Sequence, residues 1–147
     1  MPRRVADLKH HVFARHSNPW SAWTRWLSTP LVLVPVWTRR WSHAAIVGAW
    51  MAANPVIFPK PADEQAWSTR AVLGEELWIT ERPRDTAMVV NAAATLAGIT
   101  ALIAARRRRA APAAGATAVM MALLLVYWRL MADYYSRHRD DNIRSRA

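Results

Sequence analysis

The chain contains no cysteine and little negative charge. The absence of cysteine from its 147 residues excludes disulfides, zinc–thiolate sites, iron–sulfur clusters and a cysteine nucleophile. Ten acidic residues stand against twenty basic ones, which gives a formal net charge of +10. An excess of this kind is typical of nucleic-acid-binding proteins and of membrane segments flanked by arginine. Because no helix-turn-helix, zinc-finger or ribonucleoprotein pattern is present, we do not expect a nucleic-acid partner.

The sequence motifs of common enzymes are also missing. It has no glycine-rich phosphate loop, no nucleophile elbow and no H-E-x-x-H pattern. A metal site from His11 and His16 with Glu75 or Glu76 is geometrically possible, but no ligand spacing here is diagnostic. We therefore expect no metal site and no cofactor, and we lean against an enzyme.

Two long uncharged stretches are the strongest positive signal. Residues 86–105 and 110–128 contain no charged side chain, and the four consecutive arginines 106–109 separate them. At about 1.5 Å per helical residue, each stretch is long enough to cross the roughly 30 Å hydrocarbon core of a bilayer. Beyond the arginines, Pro112 and Gly115 mark an Ala/Pro/Gly-rich link. The pattern predicts a membrane hairpin.

The first half of the chain predicts a further helical hairpin. Asn18 and Pro19 form a helix start, with Asn at the N-cap and Pro at the first helical position. We expect that helix to run to about residue 37, with kinks at Pro30 and Pro35. A second apolar helix follows after a short arginine turn.

The second helix is expected to end at the Asn54–Pro55 pair, because prolines at the spacing of residues 55–61 disfavour helix. Residues 63–78 then have the composition of an amphipathic helix, with two tryptophans on one face. Two locations fit this helix equally: the membrane interface plane, or the surface of a cytosolic loop.

Together these segments predict an all-α protein, a small membrane helical bundle whose first partner is the lipid bilayer. We expect one domain, residues 1–147, with about four transmembrane helices and one interfacial amphipathic helix. The transmembrane helices are placed near 19–37, 41–54, 86–105 and 112–133, and the interfacial helix near 63–78.

The charges flanking these segments test the orientation. With alternating crossings, twelve basic residues lie on the side of both termini and six on the other side. The positive-inside bias then favours a multi-pass protein of the cell membrane with both termini in the cytoplasm. If the dense 106–109 cluster governs instead, the termini face outward. A first hairpin that does not fully cross is the third arrangement.

Polar side chains gather near the start of the first helix. His16, Asn18, Ser21 and Arg25 supply hydrogen-bonding groups there, and a helix N-terminus beside an arginine can bind an anion such as a lipid headgroup phosphate. The structural alternative is a helix cap with interfacial anchors. The four-crossing topology puts Arg70 and Glu75 on the same side, which completes a candidate binding site of His16, Asn18, Ser21, Arg25, Arg70 and Glu75.

A second candidate lies at the end of the fourth helix. Arg129 and Asp133 are four residues apart, so they can form an ion pair on one helix face. The alternative is an arginine that extends to the membrane surface within a belt of aromatic side chains.

Three polar motifs carry a family resemblance. They are H-x-N-P-x-S-x-x-T-R at residues 16–25, N-P-x-x-F-P-x-P at 54–61 and R-x-V-L-G-E at 70–75. In this order they resemble a family of small prokaryotic membrane proteins known only as a domain of unknown function. The resemblance covers about residues 11–135. It implies a multi-span membrane protein and brings no activity, substrate or cofactor with it.

These observations favour a small integral membrane protein that serves as an accessory, assembly or partner-binding subunit, with another membrane protein as the expected partner. The alternative from a different class is a membrane-embedded enzyme or a lipid-binding protein, with its polar site at the cytoplasmic interface. No acid–base pair with a defined nucleophile supports the enzyme.

Overall fold

The computed structural model describes residues 17–81 and 84–144, without the side chains of 142 and 143. Within these ranges the chain is helical and contains no strand. We number the α-helices α1 to α6 in chain order. Their bounds are α1 Pro19–Ser28, α2 Leu33–Thr38, α3 Trp41–Ile57, α4 Trp67–Glu81, α5 Thr86–Arg106 and α6 Ala110–Arg144, with a 3-10 helix at Thr29–Val32 between α1 and α2.

Proline explains the break in the first predicted helix. Pro30 lies in the 3-10 helix, where a missing N–H and a fixed φ interrupt the α-helical pattern. Pro35 lies in the first turn of α2, where backbone N–H groups have no intrahelical acceptor. The predicted kinks are therefore confirmed at Pro30, whereas Pro35 is accommodated without a further break.

Two other prolines are accommodated where the sequence predicted a stop. Helix α3 continues through Pro55 to Ile57 instead of ending at Asn54. Pro112 lies in the first turn of α6, so the expected Ala/Pro/Gly link does not exist and the helix begins at Ala110. The same helix extends to Arg144, well beyond the predicted end near residue 133.

The connection between α5 and α6 is a tight turn built from arginines. Arg108 adopts a left-handed conformation with φ 58°. The N–H of Arg109 donates to the carbonyl of Ala104, and that of Arg108 to the carbonyl of Ala105, both at 3.0 Å. This is the hydrogen-bond pattern of a Schellman motif, in which glycine is the usual left-handed residue.

Two of the described helices are long and apolar enough to cross a membrane. They are Thr86–Arg106 and the Ala110–Asp141 part of α6. The predicted first crossing is instead divided into a helix of 10 residues, a 3-10 helix and a helix of 6 residues. At about 1.5 Å per residue, neither short helix spans a bilayer alone. The four-crossing arrangement therefore stays a prediction.

The described residues fall into two compact units. Unit one comprises 17–24, 54–81 and 128–144, and unit two comprises 25–53 and 84–127. In unit two, the short helix α2 packs against α5, and Leu33, Val36 and Trp37 cover an alanine cluster. The cluster consists of Ala104, Ala105 and Ala113. These small side chains let the helices approach closely.

Candidate functional site

Unit one contains a cluster of buried polar side chains. Its members come from the segment before α1, from α1 itself, from the end of α3 and from the start of α4. They are Ser17, Asn18, Ser21, Asn54, Ser68 and Thr69. Buried polar groups cost free energy unless they are hydrogen-bonded, so the partners of each decide what the cluster does.

Asn18 connects the start of α1 to a proline-rich segment. Its Oδ1 accepts a hydrogen bond from the backbone N–H of Trp20 at 2.9 Å, which confirms the predicted N-cap with Pro19 at the first helical position. Its Nδ2 donates to the carbonyl of Pro59, also at 2.9 Å. One amide side chain therefore caps the helix and holds the segment that follows α3.

Ser21 and Asn54 form the centre of the cluster, and both are fully buried. The Ser21 hydroxyl lies 3.0 Å from Asn54 Oδ1 and 3.2 Å from the Asn54 carbonyl oxygen, so its proton is shared between these acceptors. The Nδ2 of Asn54 donates to Thr24 Oγ1 at 2.8 Å. Thr24 Oγ1 in turn donates to the carbonyl of Trp20 at 2.6 Å. The first two sequence motifs are thus joined by direct hydrogen bonds.

The third motif joins the same unit through α4. The hydroxyl of Thr69 donates to the carbonyl of Ser17 at 2.7 Å, a buried hydrogen bond between residues 52 positions apart. Gly74 approaches the backbone of α6 so closely that an added Cβ would lie 2.0 Å from the carbonyl oxygen of Met131. Only glycine fits this contact, which gives the glycine of R-x-V-L-G-E a structural role.

Three tryptophans pack beside this cluster. Trp23 on α1, Trp67 on α4 and Trp128 on α6 have ring centroids 5.7 to 6.1 Å apart. Two of the three pairs are edge-to-face, the arrangement that the aromatic quadrupole favours. These three tryptophans join three helices of unit one.

The remaining predicted binding residues behave differently. Arg70 and Glu75 are half-buried on α4, and Arg25 is half-buried in unit two. The Nε of Arg70 is buried and has no hydrogen-bond acceptor within the described residues. His16 lies outside the described residues, so its predicted place in the site is not addressed. The structure therefore brings together Asn18 and Ser21 from the predicted set.

The predicted ion pair at the end of the fourth helix is not formed. Arg129 and Asp133 are exposed, and no salt bridge joins them in the part of the chain that the structure describes. Further along the same helix, His138 Nε2 lies 3.2 Å from Glu81 Oε2, and the hydroxyl of Tyr134 donates to the same carboxylate oxygen. These contacts join α6 to the end of α4.

Tyr135 adds a similar contact, because its hydroxyl donates to Glu64 Oε2 at 2.6 Å. None of these carboxylate contacts was predicted from the sequence. The partners are 53 to 71 residues apart, and no local spacing links them.

Metal-ligating side chains do not cluster within residues 17–81 and 84–144, where no group of three or more His, Asp or Glu could hold an ion. The alternative site that used His11 and His16 lies outside those ranges. In the polar cluster itself, Ser21 and Asn54 are fully buried and already paired with each other, and Thr24 bonds both Asn54 and the α1 backbone. The cluster therefore forms a clasp, by which we mean a set of buried hydrogen bonds that holds these segments together. It contains neither an exposed nucleophile nor an adjacent base.

The comparisons place these motifs in a known family. A family model described as a family of unknown function, DUF6653, matches residues 3–124. The chain belongs to DUF6653. The matched range includes the three polar motifs of this chain, and it ends before Trp128 and the tyrosine and histidine contacts of α6. No curated protein and no solved structure is significantly similar to this DUF6653 chain.

Proposed function

We propose that this DUF6653 protein is an integral membrane protein that acts without catalysis, as an accessory or assembly subunit that binds another membrane protein. The observation that carries the proposal is how three polar residues of the motifs are used. Asn18, Ser21 and Asn54 are buried. Asn18 donates a hydrogen bond to the carbonyl of Pro59, and Ser21 donates one to Asn54 Oδ1. A catalytic site needs polar groups that reach a substrate, and these groups are already satisfied.

The apolar surface of the two long helices supports the membrane location. Only 22% of the hydrophobic window in Thr86–Arg106 and 17% of that in Ala110–Asp141 are buried within the protein. Large side chains such as Val89 and Leu96 are each 65% exposed. A core helix of a soluble protein would bury most of these residues, so lipid or another protein is the natural cover.

We further propose four crossings with both termini in the cytoplasm. The apolar composition of α1 to α3 and the twelve-to-six distribution of basic residues support this topology. Helix α3 is 17 residues long, at the lower limit for a crossing. Tryptophans with high exposure, Trp20 and Trp41, supply the interfacial anchors.

A groove in unit one supports partner binding. Trp20 is 71% exposed, and together with Pro59 and Pro61 it lines a groove of about 400 Å³. Exposed tryptophan beside proline offers rigid contact area at low cost in conformational entropy, which is typical of protein interfaces.

The experiment has two stages. Native membranes that contain the tagged chain are first washed with alkaline carbonate. We expect the chain to remain in the membrane pellet. The protein is then purified in mild detergent and the copurifying proteins are quantified by mass spectrometry. A stoichiometric partner that is retained by Arg137→Ala and lost by Trp20→Ala supports the proposal, because Arg137 is exposed and lies outside the groove.

Release by carbonate would overturn the membrane location. A chain that purifies alone would favour the alternative, a membrane-embedded enzyme or lipid-binding protein with a polar site at the cytoplasmic interface. The unpartnered Nε of Arg70 is the observation that favours this alternative. In that case, Arg70→Ala should leave the protein folded and remove a copurifying lipid or a measured turnover.

A further inference from the structure

Six arginines gather at one end of unit two. Arg39 and Arg40 connect α2 to α3, and residues 106–109 form the end of α5 and the turn into α6. The Nη2 of Arg39 donates to the carbonyl of Arg106 at 3.4 Å, which brings the two loops together. The guanidinium of Arg108 lies 5.6 Å from the ring centroid of Trp37, a cation–π contact.

Nothing in this part of the sequence neutralises the arginines. Residues 25–53 contain no acidic side chain, and Asp85 is the single acidic residue of 84–127. Asp85 caps the opposite end of α5, about twenty residues or roughly 30 Å of helix away. Within the described residues, no carboxylate forms a salt bridge with any of the six arginines. Their charge is therefore available to an anionic ligand.

An apolar groove lies directly beside these charges. Its volume is about 480 Å³. Its aliphatic part is formed by Val32, Pro35, Val36 and Ala44, and its remaining lining residues are Arg39, Arg40, Arg106 and Trp41. Trp41 is 90% exposed, which suits an indole ring at the depth of lipid headgroups.

The backbone holds the charged end of the groove in place. Arg39 adopts a left-handed conformation with φ 56°, and its N–H donates to the carbonyl of Pro35 at 2.8 Å, which ends α2. Arginine at such a position costs free energy that glycine would avoid. Arg108 likewise occupies a left-handed position where glycine is the usual residue. Both turns thus carry a cation where the backbone alone favours glycine.

We propose that this groove binds an anionic phospholipid. One acyl chain lies along the aliphatic part, and the phosphate is held by Arg39, Arg40 and Arg106. Arginine binds phosphate oxygens in a bidentate manner, and several arginines together can bind the phosphate of one lipid headgroup. A zwitterionic lipid carries its own cation and gains less from the same site.

A lipid fits the groove better than a nucleic acid does. A nucleic-acid site combines cations with ring-stacking surfaces along an extended track. Here the aliphatic side chains of α2 and Ala44 lie among the arginines, and they match a hydrocarbon chain. The site also differs from the anion site expected at Arg25, which lies outside this groove. The inference rests on the membrane location proposed above, although its test does not require that location.

The test uses the full chain purified in detergent. Binding of dioleoyl phosphatidylglycerol and of dioleoyl phosphatidylcholine is titrated by native mass spectrometry. The test variant is Arg39→Gly/Arg40→Gln/Arg106→Gln, in which glycine suits the left-handed position of residue 39. The matched control is Arg137→Gln/Arg139→Gln/Arg144→Gln, which removes the same charge from exposed positions of α6 in unit one.

We expect the wild type to prefer phosphatidylglycerol, and the groove variant to bind it about tenfold or more weakly. The control variant should change binding by less than about twofold, since none of its residues lines the groove. Equal loss in both variants, or equal affinity of the wild type for the two lipids, would overturn the proposal.

A second variant separates a lipid from a free phosphate compound or a nucleic acid. Ala44→Trp fills the aliphatic part of the groove and keeps every arginine. We expect it to weaken binding of phosphatidylglycerol about tenfold and to leave the weak binding of glycerol phosphate unchanged. Unchanged lipid binding in this variant, or displacement of the lipid by an equimolar DNA oligonucleotide, would contradict the acyl-chain site. Because these titrations use purified protein, they remain informative even if carbonate releases the chain from membranes.

Discussion

Ser21 and Asn54 are separated by 33 residues in the sequence and by 3.0 Å between Ser21 Oγ and Asn54 Oδ1 in the structure. This hydrogen bond is fully buried and joins the start of α1 to the last turns of α3. In the same unit, Asn18 of the first motif donates to Pro59 of the second, Thr69 beside the third motif donates to the carbonyl of Ser17, and Gly74 of the third motif packs against α6. The motifs therefore act first as a structural clasp.

The first prediction concerns Asn54. Asn54→Ala removes the buried amide that accepts from Ser21 and donates to Thr24. Ser21 keeps only the carbonyl of residue 54 as an acceptor, and Thr24 keeps its bond to the carbonyl of Trp20. We expect a loss of about 1–3 kcal/mol in the free energy of unfolding. Thermal unfolding of the detergent-solubilised protein, followed by tryptophan fluorescence, measures it. The control is Asn91→Ala on α5, where the side chain makes no hydrogen bond within the described residues. Equal midpoints for the two variants would contradict the clasp.

The second prediction concerns Gly74. Gly74→Ala places a Cβ 2.0 Å from the carbonyl oxygen of Met131, so α4 and α6 must separate. We expect a loss of about 1–3 kcal/mol, as for other overpacked contacts. Gly48→Ala is the matched control, because nothing lies within 4 Å of its added Cβ and alanine is the better helix former. That variant should gain up to about 1 kcal/mol. Opposite shifts of the unfolding midpoint are the expected result, and two shifts of the same sign would argue against the close contact.

The third prediction concerns the tryptophan cluster. Trp128 is 8% exposed and contacts both Trp23 and Trp67, whereas Trp41 is 90% exposed. We expect Trp128→Ala to cost about 3–5 kcal/mol of unfolding free energy. Trp41→Ala should stay within about 0.5 kcal/mol, since no packed interior is lost. Chemical unfolding monitored by far-ultraviolet circular dichroism keeps the readout independent of tryptophan emission. A similar cost for both would show that the cluster contributes no packing energy.

Local rules in the sequence predicted several features of this fold. Asn18 at the N-cap, Pro19 at the first helical position and the break at Pro30 all follow from constraints within a few residues. The start of α5 near residue 86 was predicted from the uncharged stretch alone, and the structure adds that the side chain of Asp85 accepts a hydrogen bond from the N–H of Met88. Such signals need no knowledge of the tertiary structure.

Other features depend on distant residues or on position within a helix. Pro55 was taken as a helix stop and Pro112 as part of a link, yet the last turns of α3 and the first turn of α6 tolerate them. Asn54 was assigned to a helix end because of the prolines that follow it, and its pairing with Ser21, 33 residues away, had no local signal. Its signal was the Asn-Pro pair repeated from the start of α1. The contacts of Glu81 with Tyr134 and His138 gave no sequence signal.

The last prediction concerns the arginine turn between α5 and α6, where neighbouring arginines have different backbone conformations. Arg108 is left-handed with φ 58°, whereas Arg107 has φ −85°. A non-glycine residue in the left-handed region costs about 1–2 kcal/mol. Arg108→Gly recovers that energy and loses the contact with Trp37, which is worth about 0.5–1 kcal/mol. Its unfolding free energy should therefore equal that of the wild type or exceed it by up to about 1.5 kcal/mol.

Arg107→Gly is the matched control, because it removes the same charge one residue away. There glycine gains nothing from its conformational freedom and costs about 0.5–1 kcal/mol. We expect thermal unfolding to rank Arg108→Gly above Arg107→Gly in stability. The reverse order would mean that the stacking of Arg108 on Trp37 outweighs backbone strain. A gain in stability of Arg108→Gly over the wild type would show that arginine at position 108 costs stability, which makes ligand binding at this end of unit two the better explanation for its presence.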